Sequence, residues 1–211
     1  MKKVLYITAN PKAEEKSFSL QVGRQFIEKY KVLNPQDEVI EIEVYEHDIP
    51  LIDRDILTAW DVLGKGGEFG SLTAAQQEKV GRFNELTTQF MQADKYVFVT
   101  PMWNLSIPAM MKAYLDTAVV AGKTFKYTEN GPIGLLQNKK AVHIHASGGV
   151  YSQGPGKAFE YSDSYVTTIS KFIGIEDIET VFVEGMAYAP QQADEIKEKA
   201  IEKALELVKT F

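Results

Sequence analysis

The stretch EVIEIEV, residues 38–44, alternates apolar and acidic side chains, whereas KVLYIT (3–8) and KYVFVT (95–100) are nearly continuous apolar runs. Successive strand residues point to opposite faces, so the alternation describes a strand with one wet face and the continuous runs describe strands covered on both. The second strand is therefore an edge, and the first and third are central. Two further β-rich runs follow, KAVHIHA (140–146) and DIETVFVEG (177–185), for a count of five. Segments with helical spacing lie between them at 19–33, 73–93, 108–119 and 161–175, and the amphipathic ADEIKEKAIEKALELVKTF closes the chain. Parallel neighbours need crossover connections, and these are usually helical. The pattern predicts a doubly wound α/β fold, a five-stranded parallel sheet in the order 2-1-3-4-5 with helices on both faces. In such sheets ligands bind beyond the carboxyl ends of the strands at the point where the order reverses. The loops after Thr8, Thr100 and Ala146 are the ones to inspect.

Composition narrows the chemistry. The chain of 211 residues is 45% hydrophobic, enough for one well-buried core, and no repeat or Pro/Gly linker divides it. One domain over 1–211 is expected, with an irregular excursion at 45–72 that reads as a lid, a subunit contact or a flexible loop, with a short helix at 53–63. The formal charge of -6 argues against general nucleic-acid or anionic-membrane binding. With no cysteine, thiol nucleophiles, disulfides and thiolate metal sites are excluded. No signal-type h-region or membrane-length apolar run is present, so a cytoplasmic protein is expected. His143 and His145 share one strand face without a third ligand, His47 sits in a charged turn, and no metal site is expected.

Three loops carry the functional signal. Ser17, Phe18 and Ser19 fall at a helix start, where free N–H groups and hydroxyls suit a single phosphate; a plain N-cap explains one serine equally well. Neither GxGxxG nor GxxxxGK[ST] is present, and Glu14 and Glu15 disfavour a diphosphate. The loop Pro101-Met102-Trp103-Asn104-Leu105 has amides for the edge of a planar heterocycle and an indole to stack on it, or else caps the core before Pro108 opens a helix. Ala146-Ser147-Gly148-Gly149 permits close backbone approach to a flat ring, or makes a simple turn. No nucleophile elbow is visible.

The segments KSFSL (16–20), TPMWNLSIPAMMKAYLD (100–116), AGKTFKYTENGPIGLLQNKKAV (121–142) and FIGI (172–175) followed by VFVEGMAY (181–188) resemble the FMN-dependent NADH azoreductases. These are also classed as NADH:quinone oxidoreductases and have a flavodoxin-like fold. The resemblance covers almost the whole chain. It implies a homodimer with FMN near the interface, Ser17 to Ser19 on the phosphate, Met102 to Leu105 on the ring edge, and Ala146 to Gly149 on the ring and its carbonyls. It also implies hydride transfer from NADH through FMN to quinones and aromatic azo compounds in a ping-pong cycle, since the flavin carries the chemistry and no catalytic side chain is required. Phe125 and Tyr127 are candidates for the pocket wall, with core packing the other reading. Two departures stand out: Ala9-Asn10 where relatives often have serine, and Ser147 where others have arginine. The rival reading is a flavodoxin-type electron carrier without a substrate of its own. Its charge would suit, but the 45–72 excursion and the KTFKYTENGP segment exceed what a carrier needs. A phosphate-handling domain would need a nucleophile where Ala9 and Pro101 stand.

Overall fold

The structure, a computed structural model, describes residues 1–211. Five parallel strands, β1 (Lys3–Thr8), β2 (Glu38–Glu43), β3 (Lys95–Pro101), β6 (Lys140–Ser147) and β7 (Asp177–Glu184), form one sheet in the order β2-β1-β3-β6-β7. That is the predicted order, with two short strands intervening in the numbering. β4 (Phe125–Thr128) and β5 (Gly131–Gly134) make a separate antiparallel hairpin. The sequence reading did not count it.

Helices α1 (Phe18–Leu33) and α6 (Ala193–Leu207) cover one face of the sheet, and α3 (Ala74–Gln92), α4 (Ala109–Ala118) and α5 (Asp163–Phe172) cover the other. Strand alternation divides β3 between the layers: Val97 and Val99 face α1 and α6, while Tyr96 and Phe98 face the three-helix layer. On the first face Leu20, Val22, Phe26, Ile27 and Tyr30 of α1 meet Ala200 and Ala204 of α6 over the sheet. The helix lies close because Gly23 has no side chain there; a Cβ would stand 2.8 Å from the Tyr6 hydroxyl. On β2 only Ile42 is buried, as an edge strand requires.

The 45–72 excursion contains one helix of 11 residues. α2 (Arg54–Gly64) starts at Asp53, whose side chain accepts from the Ile56 amide at 3.0 Å. Lys79 of α3 bridges Asp53 and Asp55 at 2.5 and 2.6 Å, and Trp60 packs edge-on against Phe83. Tyr45, at the start of the excursion, lies 6.1 Å from the Trp103 ring. The excursion thus touches the loop after β3. No helix is long and apolar enough to cross a membrane.

Candidate active site at the carboxyl end of the sheet

The loop after β1 ends in a capped helix. Ser17 is the N-cap of α1; its hydroxyl accepts from the Leu20 amide at 3.3 Å and from Asn10 Nδ2 at 2.8 Å, and lies 3.2 Å from the Ser19 hydroxyl. The N-cap reading is therefore correct for Ser17. It does not exhaust the site, because the Phe18 and Ser19 amides have no partner within the chain. These are free donors at the positive end of a 16-residue helix. Lys12 and Lys16 flank them. Glu14, expected to repel a second phosphate, is drawn to Arg24 at 3.0 Å instead. At the Ala9-Asn10 departure, Ala9 is buried and Asn10 holds the Ser17 hydroxyl.

The loop after β3 folds back on itself. Met102 N–H donates to Ala146 O at 2.7 Å, and Trp103 and Ser106 exchange amide bonds at 2.9 and 3.1 Å. Between them Asn104 and Leu105 both adopt left-handed backbone, with φ of 49° and 69°. Two such residues in succession make the tight turn that joins Trp103 to Ser106, a conformation costing about 1 kcal/mol or more per non-glycine residue. Strain of this kind tends to gather at ligand sites. The sequence reading has the amides around Met102, Trp103 and Asn104 available to a heterocycle. The Met102 and Trp103 amides are spent within the chain, and those of Asn104 and Leu105 are free. Trp103 and Asn104 remain exposed on the surface of the loop.

The loop after β6 has the opposite polarity, its carbonyls held and its amides free. Gly185 N–H donates to the carbonyls of Ser147 and Gly149, and Ala187 N–H to that of Gly148 at 2.8 Å. The Ser147 hydroxyl, 3% exposed side chain and all, turns inward to Gly149 O at 2.9 Å. Gly148, Gly149 and Val150 N–H have no partner. A Cβ on Gly149 would sit 2.9 Å from the Tyr151 ring and 3.2 Å from the Tyr188 hydroxyl, so the backbone is enclosed by two aromatic side chains.

These loops meet in a cleft of about 150 Å³ lined by Ser17, Phe18, Ser19, Pro101, Met102, Trp103, Ala146, Ser147 and Gly148. The structure brings together nine of the predicted cofactor residues there. Asn104 and Leu105 stand just outside, and Gly149 follows in the loop. Trp103 also borders a second concavity of about 490 Å³, lined with Asn104, Ile107, Pro108, Lys112 and Tyr165. Phe125 and Tyr127 reach neither. Phe125 is 6% exposed and packs against Phe172 with ring centroids 4.7 Å apart, so within one chain it is a core residue. Tyr127 is exposed on the hairpin, its ring edge-on to Phe125. The reading from sequence missed Lys12, Lys16 and Met186, which also line the cleft. The two lysines were visible as the only cations in the first loop. A wider groove of about 810 Å³ lies at the opposite end of the sheet, where Lys140 and Asp177 begin β6 and β7, away from all three loops.

Beneath the cleft the two strand histidines differ. His143 Nδ1 donates to the Asp163 carboxylate at 2.7 Å, and Nε2 faces the Thr100 hydroxyl at 2.9 Å. An ionised carboxylate only accepts, so Nδ1 carries a proton toward Asp163. Asp163 also accepts from Thr180 at 2.7 Å, and its pKa is lowered: burial is the largest single influence and opposes the charge, but the hydrogen bonds from His143 and Thr180 and the two nearby imidazoles together outweigh it. His145 has only a 3.4 Å contact to the Ser162 hydroxyl, and its Nε2 is buried without a partner. Burial, followed by the adjacent His143, pushes its pKa down to about 3. His145 is therefore a neutral core residue, and no cluster of three or more metal-ligating side chains exists anywhere in the chain.

An anion cradle at a helix start, a strained strand-to-helix turn and a glycine loop with free amides, all at the switch point of a doubly wound sheet, define a nucleotide-type binding fold. The chain belongs to the flavodoxin-like fold family, whose model matches residues 2–208. It is 53% identical over 211 residues, the full length of both chains, to FMN-dependent NADH:quinone oxidoreductase 3 of Bacillus anthracis. It is 51% identical, again over both full lengths, to FMN-dependent NADH:quinone oxidoreductase 2 of Bacillus subtilis. Among solved structures it resembles azoreductase from Bacillus anthracis str. Sterne, with a TM-score of 0.92, 37% identity and complete coverage of both chains. A second neighbour is an FMN-dependent NADH-azoreductase from Bacillus anthracis str. Ames Ancestor in complex with FMN. Its TM-score is 0.92 at 35% identity, covering 99% of this chain and 98% of that one.

Proposed function

We propose that the chain is an FMN-dependent NADH:quinone oxidoreductase that also reduces aromatic azo compounds. The observation that carries this is the convergence of three loops of complementary chemistry on one cleft, in a chain more than half identical to relatives so named. The residues present fit FMN. Free amides of Phe18 and Ser19, the Ser19 hydroxyl, Lys12 and Lys16 suit its terminal phosphate. Asn104 and Leu105 amides suit the polar edge of a flat ring, and Gly148 to Val150 supply three consecutive free donors. The absence of side chains at Gly148 and Gly149 lets the loop pack directly against Ala187, Tyr151 and Tyr188.

When bound, FMN supplies the hydride chemistry, accepting from NADH and giving to the second substrate. The protein's own part is binding and electrostatics. Trp103 offers an apolar face beside the cleft, and its tilt against Tyr45 ties it to the excursion. The free amides of Gly148 to Val150 would supply donors to the negative charge that develops on the flavin when it is reduced, and would lower its cost. Donor and acceptor use the same opening in turn, which gives ping-pong kinetics. The reading includes a homodimer with its sites near the interface, and the exposed apolar side chains of Trp103, Leu105, Leu57 and Val62 support it.

The test is to purify the protein, titrate it with FMN, and follow NADH oxidation with and without a quinone or an azo dye. Parallel initial-velocity lines and acceptor-dependent turnover support the reading. A protein that fails to bind FMN sinks it, and one whose bound FMN is not reduced by NADH leaves the electron carrier as the better account.

A further inference from the structure

The loop that follows Ser147 is fixed from outside by one side chain. Glu184, the last residue of β7, accepts through one carboxylate oxygen from the amides of Tyr151 at 2.8 Å and Ser152 at 3.0 Å. Its other oxygen accepts from the Ser152 hydroxyl. The adjacent Gly185 and Ala187 amides hold the carbonyls of Ser147, Gly148 and Gly149. The loop is thereby held to the end of β7 through Glu184, Gly185 and Ala187. The amides left over are those of Gly148, Gly149 and Val150, in sequence. A loop of glycines has many accessible conformations when free, so something must select this one. Charge-assisted bonds from a carboxylate to two successive amides are the strong ones in the set.

We propose that Glu184 is a positioning residue for the cofactor: by clamping Tyr151 and Ser152 it presents the Gly148 to Val150 amides to the flavin ring and so favours its reduced, more negative form. The inference rests on the FMN reading above. It has a directional signature. Donors lost from the ring destabilise the reduced form and lower the midpoint potential, whereas removing the negative charge of Glu184, if that charge acted directly on the ring, would raise it.

The experiment compares the parent with Glu184→Gln, Glu184→Ala and Ser152→Ala, all loaded with FMN, by dye-equilibrated reduction alongside FMN affinity and thermal unfolding. Ser152→Ala removes one clamp bond and guards against a Glu184 variant that does not fold. The expected result for Glu184→Ala is a roughly tenfold loss in preference for reduced over oxidised flavin, about 30 mV downward for a two-electron couple. Glu184→Gln and Ser152→Ala should show smaller shifts of the same sign. Potentials unchanged or raised at full flavin occupancy overturn the proposal while leaving the cofactor reading intact, and a parent that binds no FMN overturns both.

Discussion

Replacing His145 by leucine should flatten the acid limb of the stability curve. The imidazole is fully buried, its Nε2 has no partner, and its pKa falls to about 3 because burial and then the neighbouring His143 disfavour the cation. Asp163 opposes these effects but does not reverse them. An unfolded histidine protonates near 6.5, so between pH 6.5 and 3 the unfolded chain binds a proton that the folded chain refuses, and stability falls as pH falls. Integrated from pH 7.5 to 5.0, the His145 contribution is a loss of about 2 kcal/mol. Asp163, whose pKa is lowered, acts in a different window: its contribution is present above the unfolded carboxylate value near 4 and is lost only below it. At pH 7.5, His145→Leu should lie within about 1 kcal/mol of the parent, since removing an unpartnered polar atom offsets lost packing against Phe182 and His143. The assay is urea unfolding of both proteins at four pH values from 7.5 to 5.0, at one FMN concentration, comparing the difference between them. A difference that widens in favour of the variant by about 2 kcal/mol supports the argument. Parallel curves would refute it, because they would mean that His145 titrates alike in the folded and unfolded chain.

Four further outcomes follow from the same geometry. Gly134→Ala should cost about 1–3 kcal/mol or more in thermal unfolding, because a Cβ would fall 2.1 Å from the Gly174 amide nitrogen with backbone on both sides. Lys16→Ala should weaken FMN binding several-fold and reduce its salt dependence while leaving riboflavin binding unchanged; an equal loss for both ligands would remove Lys16 from the phosphate site. Leu105→Gly should relieve left-handed strain worth about 1 kcal/mol, yet loosen the loop and weaken FMN binding. Stripping FMN should lower apparent stability by about 2.7 kcal/mol relative to a sample at one hundred times its dissociation constant, read by differential scanning.

The sheet order was legible because strand burial is written directly into local pattern. Glu41 and Glu43 on β2 cannot both be dry, and Val97 to Val99 on β3 are dry from either side. The hairpin at 125–134 was not legible in the same way. Its strands have four residues each, and β5 reads GPIG, with a proline and two glycines that carry no alternation. The Asn130-Gly131 pair was the available signal, a dipeptide that favours hairpin turns. Phe125 was open between pocket wall and core packing from sequence. Its burial comes from Phe172, 47 positions away by subtraction of their numbers, a contact no local pattern encodes.

The deeper limit concerns direction rather than position. The sequence located all three loops at the right end of the sheet, because loop placement follows from topology. Which amides face a ligand depends on who else takes them, and that is settled by distant residues. Met102 N–H is consumed by Ala146 across the β3–β6 pair, and Trp103 N–H by the turn it closes. The donors therefore move two residues on, to Asn104 and Leu105, at the expense of left-handed backbone. In the third loop Gly185, Ala187 and Glu184 hold the groups facing β7, so the free amides are left on Gly148, Gly149 and Val150. In both loops the binding face is what remains after the fold has satisfied itself. Oxygens of the fold itself, the Ala146 carbonyl and the Glu184 carboxylate, thus decide which amides are left free.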